Sequence, residues 1–383
     1  MCKRTLTAFL IAFVVPNMTA AASTYGKIAW ESGSSMSNFD IKIMNLDGTE
    51  QVNLSAFGDP TNLYTDRDPH FKPDGSKILF TSSRPNPGGP GGLQRIYEMN
   101  PDGTGVTALS PGDFSVHYKT IEPKYSWDGS EVVFRMLKAD PSGLDALTYF
   151  QVSSPSTTMT NIPTTGANDY WPSFSPDGQW VVFQRNFDPE PNPTTKIYRI
   201  RLNGTGLTQL TDGSHLDEMA YYSPDGLYII FKRGGSNGEN LDIYRMSAAD
   251  GSGLVNLTNT TPDIEDAPAY SWEGAKIAFQ SASNASDPNT TEIYIADPDG
   301  SNRVRLTNNS LIDFNPVFSP FNQCDFDGDA DVDFNDFAAF ASAWKTSSGQ
   351  PGWNSKFDIS VPKDSVIDVY DLSVFCDNWL ISQ

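Results

Sequence analysis

The chain has 383 residues, 38% of them apolar and 12% aromatic, and a net charge of −21. That acidity leaves no basic footprint to displace counterions from phosphates, which excludes nucleic acid and anionic membrane surfaces as partners. Cations, basic proteins and neutral ligands remain, and the length suits one large domain plus a small one.

Residues 1–22 read as a secretory signal. Lys3 and Arg4 give a charged start, residues 6–15 are apolar but too short to span a bilayer, and Ala20-Ala21-Ala22 offers a small-residue cleavage site. A mature start near Ser23 predicts an exported protein, extracellular or periplasmic, with no membrane span. Cys2 leaves with the signal. Cys324 and Cys376 remain, and an even pair in an oxidising compartment predicts one disulfide, the alternative being two buried thiols.

Residues 23–320 are built from a repeat. WPSFSPDGQWVVFQR, residues 171–185, reads as strand, tight turn, strand. Pro172 opens a strand, Pro176 and Gly178 sit at the second and fourth positions of a type I turn, and residues 180–183 return as a β-branched and aromatic strand. The unit recurs as PHFKPDGSKILF, PKYSWDGSEVVF, AYYSPDGLYIIF and PAYSWEGAKIAF, with a truncated PVFSP at residues 316–320. Pro176, Pro224, Trp272 and Pro320 are each 48 residues apart, the mark of a repeat architecture. A second strand pair follows, as in Ile197-Tyr198 to Leu210-Thr211, joined in most repeats by Asn-Gly or Asp-Gly. Four strands per repeat make a propeller blade. The chain starts mid-repeat at residues 27–30 and ends the array on a lone first strand, residues 315–319. The two ends therefore complete one blade, which predicts six blades and no open edge.

The repeat PxFSPDGxxIxF…IYxMNxDGxxxxLT resembles the TolB-like, WD-repeat-like propellers. The resemblance implies the fold, and the same repeat class occurs in peptidase propellers and oligogalacturonate-lyase-like enzymes. The Ser-Pro-Asp-Gly and Asp-Gly turns share one face. The long, variable loops share the other, where sites on a rigid scaffold tend to lie. Three residues before each strand-opening Pro or Ala stand Asp66, Thr120, Asp169, Asp217, Glu265 and Asp313, with Asp68, Glu122, Glu218 and Asp266 close by. Inner strands line a propeller's channel, so these acids belong near its mouth. They cap the loops entering the strands, or form a ring for a cation or basic peptide, or pair with Arg84, Arg185 and Arg233 at the ends of second strands. Tyr170 and Trp171 suit stacking on a sugar or partial burial. His70, His117 and His215 are too few for a catalytic metal cluster, and no Gly-x-Ser-x-Gly elbow, phosphate loop or Cys/His zinc pattern is present.

Residues 324–383 change character. DFDGDADVDFND places Asp325, Asp327, Asp329, Asp331, Asp333 and Asp336 at loop positions one, three, five, seven, nine and twelve, the spacing with which a twelve-residue loop wraps calcium. A helix carrying Phe337, Phe340 and Trp344 on one face is expected next. The pattern returns 35 residues later, where Asp371, Leu372, Phe375 and Trp379 match Asp336, Phe337, Phe340 and Trp344. Asp358, Asp364, Asp368 and Asp371 are the second loop's candidate ligands, in a loop two residues longer. The duplicated halves resemble a type I dockerin. That resemblance implies a small α-helical calcium-binding domain and a cohesin-like or cell-surface scaffold partner.

The expectation is a mainly β protein: a six-bladed propeller closed by N- and C-terminal strands, plus the dockerin-like module. Function is expected to be non-catalytic binding of a protein, peptide or glycan at the propeller face, with calcium-dependent attachment through the module. The alternative is an extracellular polysaccharide lyase or hydrolase.

Overall fold

The structure is a computed structural model. It describes residues 26–35, 37–55, 64–85, 94–109, 118–138, 146–153, 159–164, 168–186, 195–235, 240–260, 263–282, 291–320 and 334–350, together with 353, 357, 366–368 and 371–372. The signal segment, His117, Cys324 and Cys376 lie outside these residues, as do Asp325, Asp327, Asp329, Asp331, Asp333, Asp358 and Asp364.

Six four-stranded antiparallel sheets form the blades. Blade one runs from the axis outward as Asp66–Phe71, Ile78–Ser82, Arg95–Met99 and Thr107–Ala108. The inner strands of blades two to five are Tyr118–Tyr125, Asn168–Phe174, Leu216–Tyr222 and Ile264–Tyr270. Blade six takes its inner strand, Ile312–Phe318, from the end of the array and its other three, Lys27–Ser35, Asn38–Asn45 and Val52–Asn53, from the start. The predicted closure is therefore present. Ile28 pairs with Phe318, and the Ser319 N–H donates to the Lys27 carbonyl at 2.8 Å. Inner strands of successive blades touch one another all the way round, so they surround the axis.

Each part of the repeated motif has a mechanical reason. In the first turn, Gly178 donates its N–H to the Ser175 carbonyl at 2.9 Å with φ of 66°. The Ser175 hydroxyl accepts from Trp180 N–H at 2.9 Å and donates to Asp177 Oδ1 at 2.5 Å. The glycine of the Asp-Gly turns is demanded twice. Gly300 has φ of 85°, and a Cβ there would lie 1.8 Å from the Leu257 carbonyl oxygen of the preceding blade. The closing Leu-Thr dipeptide buries its leucine and turns its hydroxyl inward. Thr211, Thr258 and Thr307 accept from the N–H of Ile197, Ile243 and Ile293 at 2.9–3.0 Å. Blade two lacks both motifs, yet Ala146–Gln151 and Thr160–Asn161 still complete its sheet. The outer strands are only two residues long, shorter than the sequence pattern implies, because pairing past them is carried by single bonds such as Leu210 N–H to the Ile197 carbonyl.

The core lies between blades. The aromatic of every second strand, Trp30, Phe80, Phe134, Phe183, Phe231 and Phe279, is fully buried at one equivalent position. Burying a side chain of this size contributes roughly 1.5–3 kcal/mol each. Beyond the propeller, helix Phe334–Ser342 buries Phe340 beside Ala343, Phe357 and Ile367, with Trp344 packed against them. Phe337 on the same helix is 42% exposed. Asp371 is buried and accepts the Asp368 N–H at 2.9 Å. No helix among the described residues is long and apolar enough to cross a membrane.

Candidate functional site at the channel mouth

The acids at the start of the inner strands are buried, and each is matched close by. Asp169 receives Arg185 through Nε at 2.6 Å and Nη2 at 2.8 Å; Asp217 and Arg233 repeat that geometry. Asp66 meets Arg84 at 2.8 Å. Glu265 accepts from Thr260 at 2.5 Å and Arg303 at 2.9 Å, and Asp313 from Trp30 Nε1 at 3.1 Å and Asn309 at 2.7 Å. Burial pushes Asp66 and Glu265 upward, with their arginines pulling back. Of the roles open to these residues, pairing with an arginine is the geometry of Asp66, Asp169, Asp217 and Glu265, whereas Asp313 is held by neutral donors. Such a pair ties the inner strand to the second strand, as Asp169 and Asp217 do with their cross-strand register partners Arg185 and Arg233, and its loss is costly because one buried charge is left alone.

The second tier was not foreseen as a unit. Every inner strand carries a bulge at one place, and the residue there has a left-handed backbone: Asp68, Glu122, Trp171, Met219, Ala267 and Asn315, with φ of 47–57°. Left-handed non-glycine residues store on the order of 1–3 kcal/mol of strain each, so the surroundings must hold them. In five blades the holder is a side chain of the preceding blade. The backbone N–H of Asp68, Glu122, Trp171, Met219 and Asn315 donates to Glu31, Asp68, Glu122, Gln184 and Gln280 respectively, at 2.7–3.2 Å. In the remaining one, Ala267, the neighbouring Asp266 accepts the N–H, and Lys232 of blade four binds Asp266 at 3.2 Å and Glu218 at 2.7 Å. Glu31, Gln184, Lys232 and Gln280 all follow the buried aromatic of a second strand. That position, and the residue just before the strand-opening Pro or Ala, were the signal in the sequence.

The rim above this ring is a mixture. Arg67, Tyr170, Trp171, Glu218, Asp266 and Phe314 are half-buried there. Arg67 donates to Glu31 at 3.1 Å and lies 4.9 Å from the ring of Phe39, itself stacked on Phe314. Arg135 bonds Glu122 at 3.0 Å and covers the ring of Tyr170 at 3.8 Å. Glu122 is pushed up to about 7 by burial, aided by Asp68 and opposed by Arg135. Burial pulls Lys232 down, but the Asp266 and Glu218 carboxylates outweigh it and hold it above the ordinary lysine value. His215 hydrogen-bonds Ser214 at 2.7 Å. No group of three or more His, Cys, Asp or Glu residues with metal-binding geometry occurs among the described residues.

Further down, the channel is closed toward the turn face. Trp127 and Trp272 replace the turn proline in blades two and five, which stand opposite each other. Their rings meet edge to face at 4.8 Å across the axis, and their indole N–H groups donate to the carbonyls of Phe174 and Phe318. On their mouth side lies a cavity of about 50 Å³ lined by His70, Tyr125, Tyr221 and Tyr270 among others.

No family profile matches the chain, and no curated protein matches it in sequence. Solved structures do match. TolB from Acinetobacter baumannii superposes with a TM-score of 0.59 at 19% identity, covering 77% of this chain and 67% of that one. A TolB protein described as putative from Agrobacterium tumefaciens gives 0.54 at 21%, covering 73% and 88%. Kuenenia stuttgartiensis hydrazine synthase gives 0.60 at 15%, covering 78% of this chain and 48% of that one. At these identities the likeness shows the fold: a TolB-like six-bladed propeller.

Proposed function

We propose that this is an exported binding protein. Its propeller presents the channel mouth to a peptide, protein or glycan, and its C-terminal module attaches it to a partner in a calcium-dependent way. The observation that carries the first half is the interblade ring. Five backbone N–H groups are locked by side chains of the preceding blade, so the rim above them is rigid and needs no ordering when a ligand arrives. The rim carries two aromatic side chains, Trp171 and Tyr170, the latter with Arg135 stacked over one face. Ring and rim together hold more acids (Glu31, Asp68, Glu122, Glu218, Asp266) than bases (Arg67, Arg135, Lys232), which favours a neutral or cationic partner. Asp66, Asp169, Asp217, Glu265 and Asp313, with Arg185 and Arg233, support that rim by fastening each inner strand to its neighbour.

The spacing of Asp325, Asp327, Asp329, Asp331, Asp333 and Asp336 supports a dockerin-like reading of residues 324–383, with Ca²⁺ as the ion and a cohesin-like or cell-surface scaffold as the partner. Asp358, Asp364, Asp368 and Asp371 are the proposed ligands of the second loop, and Cys324 with Cys376 the proposed clasp of a small core. Calcium titration of the full chain tests this. Binding that disappears in Asp327→Ala/Asp329→Ala, and a chelator-sensitive far-ultraviolet transition separate from propeller melting, are expected. A melt indifferent to chelator contradicts the reading.

A second reading rests on Glu122. A carboxyl titrating near 7 at the mouth, beside Arg135 and Tyr170, has the property of a general acid or base. It favours the polysaccharide lyase or hydrolase alternative. Incubation with acidic polysaccharides separates the readings: unsaturated or shortened products that vanish in Glu122→Gln establish the enzyme, and binding without turnover establishes the binder.

A further inference from the structure

Below the ring of left-handed residues, the next tier of the inner strands is His70, Lys124, Ser173, Tyr221, Ala269 and Val317. Five of the six line the cavity that the tryptophan pair closes off from the turn face. The sixth, Lys124, is 3% exposed. Its ammonium lies 5.3 Å from the ring centre of Tyr221. Lys124 belongs to blade two and Tyr221 to blade four, which are not neighbours, so the two meet through the channel. No carboxylate among the described residues pairs with Lys124, although every other strongly buried cation of the inner hairpins has one: Arg84, Arg185 and Arg233 each hold an aspartate, and Lys232 holds two carboxylates. A buried cation without a counter-charge is costly, and a tyrosine face offsets only about 0.5–2 kcal/mol.

We propose that this waist binds the carboxylate end of a small organic acid, with Lys124 as its counter-ion and the aromatic cavity as the seat of its short apolar part. Two neighbours extend the polar end. His70 Nδ1 accepts the Tyr125 N–H at 3.3 Å, which fixes the ring in the lining, and Ser173 adds a hydroxyl to the same lining. His70 is held neutral, well below the ordinary histidine value, by burial and by Lys124. The site therefore offers a single positive charge, which suits a monocarboxylate and not a dianion such as phosphate or sulfate. The cavity of about 50 Å³ has room for a few heavy atoms. Its walls, Tyr125, Tyr221, Tyr270, Trp127 and Trp272, match an apolar tail and not a second charge. The site stands apart from whatever docks on the rim, since a free small acid can fill it alone.

The test uses the full chain and two probes of equal shape, propionate and its neutral analogue propionamide. Thermal unfolding is followed by tryptophan fluorescence over rising probe concentration. The wild type is expected to show a saturable rise in midpoint with propionate and none with propionamide. In Lys124→Met the half-saturation concentration should rise at least tenfold, while Lys119→Met, an exposed lysine of the same strand, should respond as the wild type does. Any general salt effect of the sodium salt persists in Lys124→Met and so is separated from site binding. Equal responses to the two probes, no response of the wild type, or an undiminished response in Lys124→Met overturns the proposal. Should Lys124→Met fail to fold, Lys124→Gln and Ser173→Ala in parallel replace it, with the same outcomes required of Lys124→Gln.

Discussion

The two ends of the inner hairpins behave differently. At the turn end, all five complete hairpins make the same bond: the turn glycine donates to the carbonyl three residues earlier at 2.9 Å, with φ of 66–73°. At the mouth end, the equivalent residues differ from blade to blade: Arg67, Ile121, Tyr170, Glu218, Asp266 and Phe314 on one tier, and Glu31, Thr81, Arg135, Gln184, Lys232 and Gln280 on the strand behind. Uniform positions answer a backbone requirement that every blade shares. Varied positions are free of that requirement and take up chemistry. The exceptions at the turn end make the same point, because only Trp127 and Trp272 depart from the turn proline of the four other blades, and they close the channel.

The contrast can be broken in four places. The largest loss is expected from Phe231→Ala, which empties a fully buried repeated position and should lower unfolding free energy by about 3–5 kcal/mol in a denaturant titration. Asp217→Asn comes next, since it strands Arg233, and a cost of about 3 kcal/mol is expected. Asp217→Asn combined with Arg233→Met should cost less than Asp217→Asn alone; a strictly additive double variant would show that the pair is not coupled. A mouth residue should act through pH. The Glu122 carboxyl is raised from 4.5 to about 7 in the folded state, so its stabilising contribution is complete below pH 4.5 and is lost as pH rises through 7. Glu122→Gln should flatten that decline, and urea midpoints at pH 5 and pH 8 that fall equally in both proteins would refute the assignment. The smallest effect belongs to the turn face. Asp225→Ala removes bonds to Ser223 and Leu227 on an exposed turn and should cost about 1 kcal/mol with no change in pH dependence.

The architecture was legible because the motif repeats every 48 residues and because the array begins and ends on complementary fragments. The acids of the inner strands were legible as a group, but their partners were open among capping, ring formation and pairing. Asp313 shows why: its partner Trp30 lies 283 residues away. The left-handed bulge was not legible, since Trp171, Met219 and Ala267 are not residues that favour positive φ. For Trp171 and Met219 the conformation is held by the preceding blade, through Glu122 and Gln184, a long-range cause that local sequence does not carry. The closure of the channel by Trp127 and Trp272 required knowing that blades two and five face each other. The setting of Lys124 is likewise visible only in three dimensions, where its ammonium meets Tyr221 two blades away.

The central claim is that ligand recognition belongs to the mouth and not to the repeated turns. The most direct measurement is a screen of peptides and neutral and acidic oligosaccharides against three full-length proteins: the wild type, Tyr170→Leu/Trp171→Leu at the rim, and Asp225→Ala at the turn face. Ligands retained by the wild type should be lost at least tenfold in the rim variant and kept by the turn variant. A ligand that the rim variant binds undiminished, or that the turn variant loses, would contradict the account.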